Sequence, residues 1–286
     1  MASMRDIQRR KASVQSTGQI TKAMKLVSTV KLQKARGRAE NTKPYFDNMY
    51  ETISSVLARS GNINHRFLKE REVRKKAVIV ISSNRGLAGG YNSNIVKLIT
   101  DDGKFTADNT VLYTVGSKAR DSLTRKGYSI AHDYSEVIEN PIYRDAMDIC
   151  EAVLDSFMNE EVDEIYLAYT VFKNTVSHIP TLIKLLPVSS GDYELTDNEK
   201  KIPMNYEPGE DEVLDIIIPK YVSSLIFGAL IESVASENGA RMSAMDSATT
   251  NAEDMIADLS LKYNRARQSS ITQELTEIIA GAEAIG

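Results

Sequence analysis

The sequence predicts an α/β protein in which a parallel-sheet domain is inserted between two long helices that pair as an antiparallel coiled coil. Three observations support this fold class. All seven prolines lie between Pro44 and Pro219, which leaves both ends free of helix breakers. The C-terminal end carries apolar and small residues in the 3–4 spacing of a coiled coil. Between the ends, apolar β-branched runs alternate with helical patterns.

The two ends are long enough to need a partner helix. We expect helical segments over 1–60 and 212–286, and residues 219–284 as one uninterrupted helix would span roughly 100 Å at 1.5 Å per residue. A helix of that length cannot lie entirely on one small domain. Two ordinary amphipathic helices packed on a globular body remain the alternative.

The predicted coiled-coil seam is regular at the C-terminal end and irregular at the N-terminal end. In the C-terminal helix the seam comprises Met242, Met245, Thr249, Ala252, Ile256, Leu259, Tyr263, Ala266 and Ser270. In the N-terminal helix a similar stripe comprises Met4, Ile7, Val14, Ile20, Met24, Val27 and Val30, with polar breaks at Lys11 and Thr17. An apolar tip after Ser270 suggests that a partner surrounds it, and a poorly ordered tail is the alternative.

The charges of the two ends are opposite. Residues 1–43 contain eleven Lys or Arg against two acids, whereas residues 241–286 contain four bases against seven acids. Opposite charge suits two helices that meet side by side. A basic arm that binds nucleic acid is the rival interpretation, but residues 1–43 lack the aromatic side chains on which bases would stack.

The middle of the chain, residues 75–190, is predicted to be the α/β domain. Strands are expected at Ala77–Ile81, Thr110–Val115 and Glu164–Thr170, and helices at Tyr91–Thr100, Ser117–Lys126 and Asp145–Met158. The apolar segment His178–Val188 contains two prolines, which favours an edge strand. Ser189–Asp211 is polar and is expected to be an exposed loop.

A glycine-rich turn, Ser82–Asn92, follows the first strand, where Rossmann-like folds hold phosphate. Gly86, Gly89 and Gly90 match neither the P-loop nor the dinucleotide spacing. We therefore expect a tight structural turn. A nucleotide-binding α/β enzyme with helical arms is the alternative function.

No other group of residues predicts catalysis. His65, His132 and His178 lack metal-ligand spacing, so we expect ordinary surface or boundary histidines. Cys150, the single cysteine, is expected to be a buried structural thiol. We predict no catalytic, cofactor-binding or metal site, and no uninterrupted apolar run of about 18 residues that would span a membrane.

Several motifs resemble the gamma subunit of F-type ATP synthases, in order and along essentially the whole chain. At the N-terminal end the motif is SVQSTGQITKAMKLV, residues 13–27. In the middle it is SNRGLAGGYN, residues 83–92. At the C-terminal end the motifs are SENGARM at 236–242, YNRARQ at 263–268 and ITQELTEIIAGA at 271–282.

This resemblance implies the central rotating shaft of a motor, without catalytic activity of its own. Its partners would be three alpha and three beta subunits, the epsilon subunit and a c-ring turned by protons. The shaft would couple c-ring rotation to ATP synthesis or hydrolysis at the beta subunits. A bacterial enzyme, peripheral on the cytoplasmic face of the cell membrane, is the simplest interpretation, since neither a mitochondrial presequence nor the cysteine-bearing chloroplast insertion is expected here.

The resemblance also assigns roles to individual residues. Contact with beta subunits, or coupling, is implied for Met24, Arg241, Arg267, Gln268, Thr272 and Glu274. Contact of the foot with the c-ring is implied for Tyr206 and Glu207. A basic substitution at Met24 is expected to uncouple the motor. Ordinary seam or surface packing is the alternative role for each. Gly239 departs from the bulkier residue common at its position, which would loosen the helix by about 1 kcal/mol relative to Ala.

Overall fold

A computed structural model describes residues 4–59, 65–175, 177–188, 207 and 209–283. The elements in chain order are the helix α1 (Met4–Arg59), the strand β1 (Lys76–Ile81), α2 (Tyr91–Thr100), β2 (Thr110–Val115), α3 (Ser117–Arg125), β3 (Ser129–Asp133), a short 3₁₀ turn (Val137–Glu139), α4 (Tyr143–Met158), β4 (Glu164–Phe172), β5 (His178–Leu186) and α5 (Glu210–Glu283).

The chain forms two compact units, and α1 and α5 contribute residues to both. One unit contains residues 1–28 and 242–286, and the other contains residues 29–241. The sequence-based segments 1–60, 75–190 and 212–286 instead divide the chain by type of element, and they remain a proposal about its domains.

In the second unit the described strands form one sheet in the order β3-β2-β1-β4-β5. Strands β1 to β4 pair in parallel, whereas β5 pairs antiparallel with β4 at the edge. The predicted edge strand is therefore confirmed. Strand β3 was not predicted, because its residues are mostly exposed and form no apolar run.

The sheet has a buried core on each face. Along β1, Ile79 and Ile81 pack on one side with α4 and with the first part of α5. Val78 and Val80 pack on the other side with α2 and α3. Burial on both faces explains why this strand reads as a continuous apolar run.

Helix α5 begins close to the start of the expected segment 212–286. It starts at Glu210 and contains Pro219, and α1 likewise contains Pro44. The expected helical segment 212–286 therefore starts two residues after the helix does, and Glu210 and Asp211, which were expected to end an exposed loop, belong to its first turn. A proline inside a helix costs about 3 kcal/mol. Full burial of Leu214, Ile218 and Val222 around it contributes roughly 1.5–3 kcal/mol each, which offsets that cost.

Among the described helices, only α5 is long and apolar enough, by length and composition alone, to cross a membrane. Half of its apolar window is buried inside the protein. Because Leu214, Ile226 and Leu230 lie in the core against the sheet, the apolar composition is that of a core helix.

In the first unit, α1 and α5 run antiparallel as predicted. A Cβ atom on Gly18 would lie 3.3 Å from the Ala252 Cβ, and the Thr21 and Thr249 hydroxyl oxygens are 2.8 Å apart. Lys25 forms an ion pair with Asp246. Residue numbers rise along one helix as they fall along the other, which fixes the register of the pair.

The predicted α5 seam is confirmed. Its nine residues are buried or half-buried, with Met245, Ala252 and Leu259 the most buried, and the residues from 271 to 282 are all exposed. The predicted α1 stripe is partly wrong, because Met4, Ile20, Val27 and Val30 are exposed. The side of α1 that is buried or half-buried in this unit carries Ile7, Lys11, Val14, Gly18, Thr21, Met24, Lys25 and Ser28.

Candidate functional site

Polar side chains of the glycine-rich turn accept hydrogen bonds from backbone N–H groups in and beside the turn. Asn92 Oδ1 accepts a hydrogen bond from the Ser83 backbone N–H at 3.0 Å. Asn84 Oδ1 accepts from the Ser117 N–H at 2.9 Å, at the start of α3. Ser82 Oγ accepts from the Ala119 N–H at 3.0 Å. These three backbone donors at the end of the sheet therefore already have partners within the chain.

The backbone next to the turn also leaves little space. Gly116 has φ +100°, and a Cβ atom there would lie 2.3 Å from the Ser82 carbonyl oxygen. Gly89 has φ +55°, and the non-glycine Leu87 also has a positive φ, of 63°. Within the turn Gly89 provides left-handed backbone, as the structural interpretation predicts, and the close approach is made by Gly116 beside the turn.

Arg241 joins this turn to α5. Its side chain is mostly buried and forms an i,i+4 ion pair with Glu237. One guanidinium nitrogen, Nη2, donates to the Gly86 carbonyl oxygen at 3.2 Å and lies 3.5 Å from that of Arg85. The structure thus places Arg241 inside the second unit, with its donors directed at the glycine-rich turn.

Two further side-chain contacts fix the same region, and the sequence did not single them out. The buried Tyr91 hydroxyl donates to the Ser233 carbonyl at 3.2 Å, and Ser236 Oγ donates to the Thr170 carbonyl at 2.9 Å. Burial raises the pKa of Tyr91, which keeps its phenol protonated as a donor. The sequence signal for the second contact was Ser236, a hydroxyl on a largely apolar part of the helix, whereas the first contact uses a backbone carbonyl that no residue type at 233 marks.

The predicted contact residues near the end of α5 form one exposed face. Arg267, Gln268, Thr272 and Glu274 are all exposed, and Thr272 Oγ1 donates to the Gln268 carbonyl at 2.9 Å. At 100° per residue these four positions fall within about 160° of the helix circumference. The structure therefore brings them together as one surface with positive, negative and amide groups.

The other predicted contacts lie elsewhere. Met24 is half-buried on α1 in the first unit, beside Lys25 and its ion pair with Asp246. Glu207 is exposed and precedes α5. Tyr206 lies outside the described residues, as does most of the predicted loop Ser189–Asp211.

The remaining candidates for chemistry have structural partners. Burial raises the pKa of Cys150 to about 12, and its thiol donates to the Pro219 carbonyl at 3.5 Å, so the prediction of a buried structural thiol is confirmed. His65 is buried against Asp215, which corrects the expectation of a surface or boundary residue. Among the residues described, no group of three or more His, Cys, Asp or Glu could hold a metal ion.

Taken together, a long antiparallel helix pair and an α/β domain whose glycine-rich turn is held by the chain's own side chains are the features of a stalk-type protein. The family model described as ATP synthase matches residues 3–285. The chain is 66% identical to the ATP synthase gamma chain of Lachnoclostridium phytofermentans over 291 residues, which cover 100% of both chains.

Two further comparisons agree. The chain is 44% identical to the sodium ion specific ATP synthase gamma chain of Acetobacterium woodii, covering 99% of this chain and 98% of that one. A chain in the Euglena gracilis mitochondrial ATP synthase structure that contains OSCP, F1 and the c-ring shares the fold, with a TM-score of 0.70, 17% identity, and coverage of 99% and 94%. The chain belongs to the ATP synthase gamma chain family. It is the non-catalytic central stalk subunit of an F-type ATP synthase.

Proposed function

We propose that this chain turns as a shaft within three alpha and three beta subunits and carries rotation from a c-ring to the catalytic sites. Epsilon would bind at its foot, and the complex would lie peripherally on the cytoplasmic face of the cell membrane. Each orientation of the shaft would stabilise a different beta-subunit conformation, because a contact with one orientation shifts the population of states.

The observation that carries this proposal is the end of α5, which packs against no other described part of the chain. The register of the helix pair places Met4, the first described residue of α1, beside Ala266. Beyond that level Ile271, Leu275, Ile278 and Ile279 are between 49% and 67% exposed. A single helix with exposed isoleucine and leucine is favoured in water only when another surface covers it.

The exposed face of Arg267, Gln268, Thr272 and Glu274 suits a polar contact with a beta subunit. An Arg guanidinium can hold a carboxylate with two parallel hydrogen bonds, and Gln268 and Thr272 add further polar groups. Met24 would meet a beta subunit from α1, where an added cation would attract carboxylates too strongly. Tyr206 and Glu207 would contact the polar loops of the c-ring.

The first test is assembly. The chain is co-expressed with the alpha and beta subunits, and the product is analysed by gel filtration and ATPase assay. We expect one copy per three beta subunits and faster turnover when the chain is present. Elution of the chain alone, with turnover unchanged, would contradict the shaft function.

The second test concerns the contact residues. Arg267→Ala and Met24→Lys are expected to lower ion pumping per ATP hydrolysed while the complex still assembles. Lys262→Ala is the matched control, because Lys262 is an exposed cation on the same helix that pairs only locally with Asp258. Unchanged pumping in both test variants would remove the contact assignment.

The coupling ion is proposed to be the proton. The measurement is ATP synthesis by the complex in lipid vesicles, driven by a proton gradient or by a sodium gradient in the presence of a protonophore. Synthesis with the sodium gradient alone would overturn this part of the proposal, and the relative named as sodium ion specific makes the comparison necessary.

A further inference from the structure

Within the second unit, one segment of α5 makes a series of polar contacts with the α/β domain. This segment, Ser233–Arg241, is called the anchor segment below. It contacts α2 through Tyr91, β4 through Thr170 and the glycine-rich turn through Arg241. Each of the three contacts is a hydrogen bond between a side chain and a backbone carbonyl. The anchor segment directly follows the part of α5 that packs through apolar side chains, but it contacts the α/β domain through hydrogen bonds.

Arg241 is the charged member of this series. The side chains of Arg241 and Glu237 are 11% and 14% exposed, so both charges are largely removed from water. A buried ion pair is stable only when further hydrogen bonds satisfy its remaining groups. The guanidinium has five N–H donors, and the backbone carbonyl of Gly86, with that of Arg85 beside it, supplies acceptors.

The anchor segment also lies unusually close to the sheet. A Cβ atom on Gly239 would lie 2.7 Å from His178 Nε2 and 3.1 Å from Phe172 Cε2. A contact below 3.0 Å requires movement, so a side chain at 239 would displace the imidazole or the helix. Side-chain packing at Gly239 and directed hydrogen bonds on either side of it together define the register of this contact.

We propose that Arg241 is a positioning residue that fixes the glycine-rich turn to α5, so that force on the α/β domain enters α5 at the anchor segment. Apolar surfaces can slide by small steps with little change in buried area, whereas a guanidinium between a carboxylate and a backbone carbonyl loses directed bonds when it shifts. This role rests on the proposed shaft function. It differs from a direct contact of Arg241 with a beta subunit, since the guanidinium is already engaged within the chain.

The experiment uses the assembled complex and two measurements. Hydrogen exchange of the amides in residues 84–92 reports whether the turn is held, and ion pumping per ATP hydrolysed reports transmission. Arg241→Ala is expected to raise exchange of the turn by roughly tenfold or more, because it removes hydrogen bonds to a charged group. Pumping per ATP is expected to fall in the same variant.

Three further variants separate the interpretations. Arg241→Lys keeps the charge beside Glu237 but lacks the planar fork of donors, so we expect an intermediate increase in exchange. Arg267→Ala is expected to lower pumping without changing exchange of the turn. Cys150→Ala, which leaves a small cavity in the core away from the turn, controls for general destabilisation and is expected to change neither measurement.

The outcomes are distinct. Unchanged exchange in Arg241→Ala overturns the positioning role, and raised exchange with normal pumping overturns transmission through the anchor segment. If Arg241→Ala does not assemble, the intermediate exchange and pumping of Arg241→Lys supply the same test. The shaft function itself would be contradicted by a different pair of results. The unsubstituted chain would fail to assemble with alpha and beta, and Arg267→Ala would not lower pumping per ATP hydrolysed.

Discussion

Gly239 and His178 show how one missing side chain can set the position of a long helix. His178 is the first residue of β5, its imidazole packs beside Phe172 and Gly239, and its Nε2 atom is buried with no hydrogen-bond partner among the described residues. The sequence indicated only that Gly239 would weaken the helix by about 1 kcal/mol. The structure supplies the compensating reason, since no larger residue fits against the imidazole.

Gly239→Ala is therefore expected to destabilise the protein by about 1–3 kcal/mol, despite the higher helix propensity of alanine, because the new methyl group overpacks the contact with His178. Urea unfolding of the purified chain measures this change. Gly37→Ala is the matched control, since a Cβ atom at Gly37 meets nothing within 4 Å, and it should leave the protein equally or slightly more stable. Adding His178→Ala to Gly239→Ala should recover part of the loss, and equal destabilisation at both glycines would refute the steric explanation.

His178 also predicts a pH dependence of stability. Burial lowers the pKa of its imidazole from the ordinary value of 6.5, so the folded protein resists protonation there. As the pH falls through about 6.5, the unfolded chain binds a proton that the folded chain does not, and the free energy of unfolding decreases. His178→Gln should make this free energy fall less between about pH 7 and pH 5. Parallel curves for the two proteins would show that His178 does not contribute.

At the scale of elements, the seam of α1 differs from the one its apolar residues suggested. The rule that apolar residues mark the buried side selected Ile20, Val27 and Val30, which are exposed. The side that packs carries Gly18, Thr21 and Lys25, which pair with small or complementary groups of α5. Small and polar seam residues permit close approach but bury less apolar area than leucine would.

The threonine pair in this seam makes a measurable contribution. Thr21→Val leaves the Thr249 hydroxyl without its partner across the helices and should cost about 0.5–1.5 kcal/mol. Adding Thr249→Val should recover much of that loss, because two apolar groups then face each other. A double-mutant cycle in urea gives the coupling energy. Thr272→Val, whose exposed hydroxyl bonds only within its own helix, is the control, and the same cost there would exclude a contribution from the pair.

The elements that could be predicted from the sequence are those whose environment leaves a strong pattern. Strand β1 has two buried faces and therefore a continuous apolar run, and α2 and β2 were predicted with their observed bounds. Strand β3 lacks such a run because it lies exposed at the sheet edge. Helix preference alone would end α5 near Pro219, and the tertiary burial that carries the helix through this proline is not visible in local preference.

At the scale of the whole molecule, the parts of the candidate site differ in the evidence that is needed to predict them. The exposed face around Arg267 could be predicted only from resemblance to a family, since exposed polar residues on a helix are common. Arg241 was placed in the same class by resemblance, yet its contacts lie inside the second unit. Which carbonyls a buried guanidinium meets depends on the folded path of a turn some 150 residues away in sequence, and no local pattern encodes that.

The exposed end of α5 separates folding from assembly, because residues 271–282 bury no side chain against the described part of the chain. Deleting residues 271–286 should therefore change the free energy of unfolding by less than about 1 kcal/mol, while weakening association with the alpha and beta subunits and lowering ATP synthesis. Leu259→Ala is the opposite control, since it empties a buried seam position and should cost about 2–5 kcal/mol. Urea unfolding and co-purification with alpha and beta measure the two effects separately. A large loss of stability on deletion would mean that the tail packs within the chain, and normal association would mean that no partner covers it.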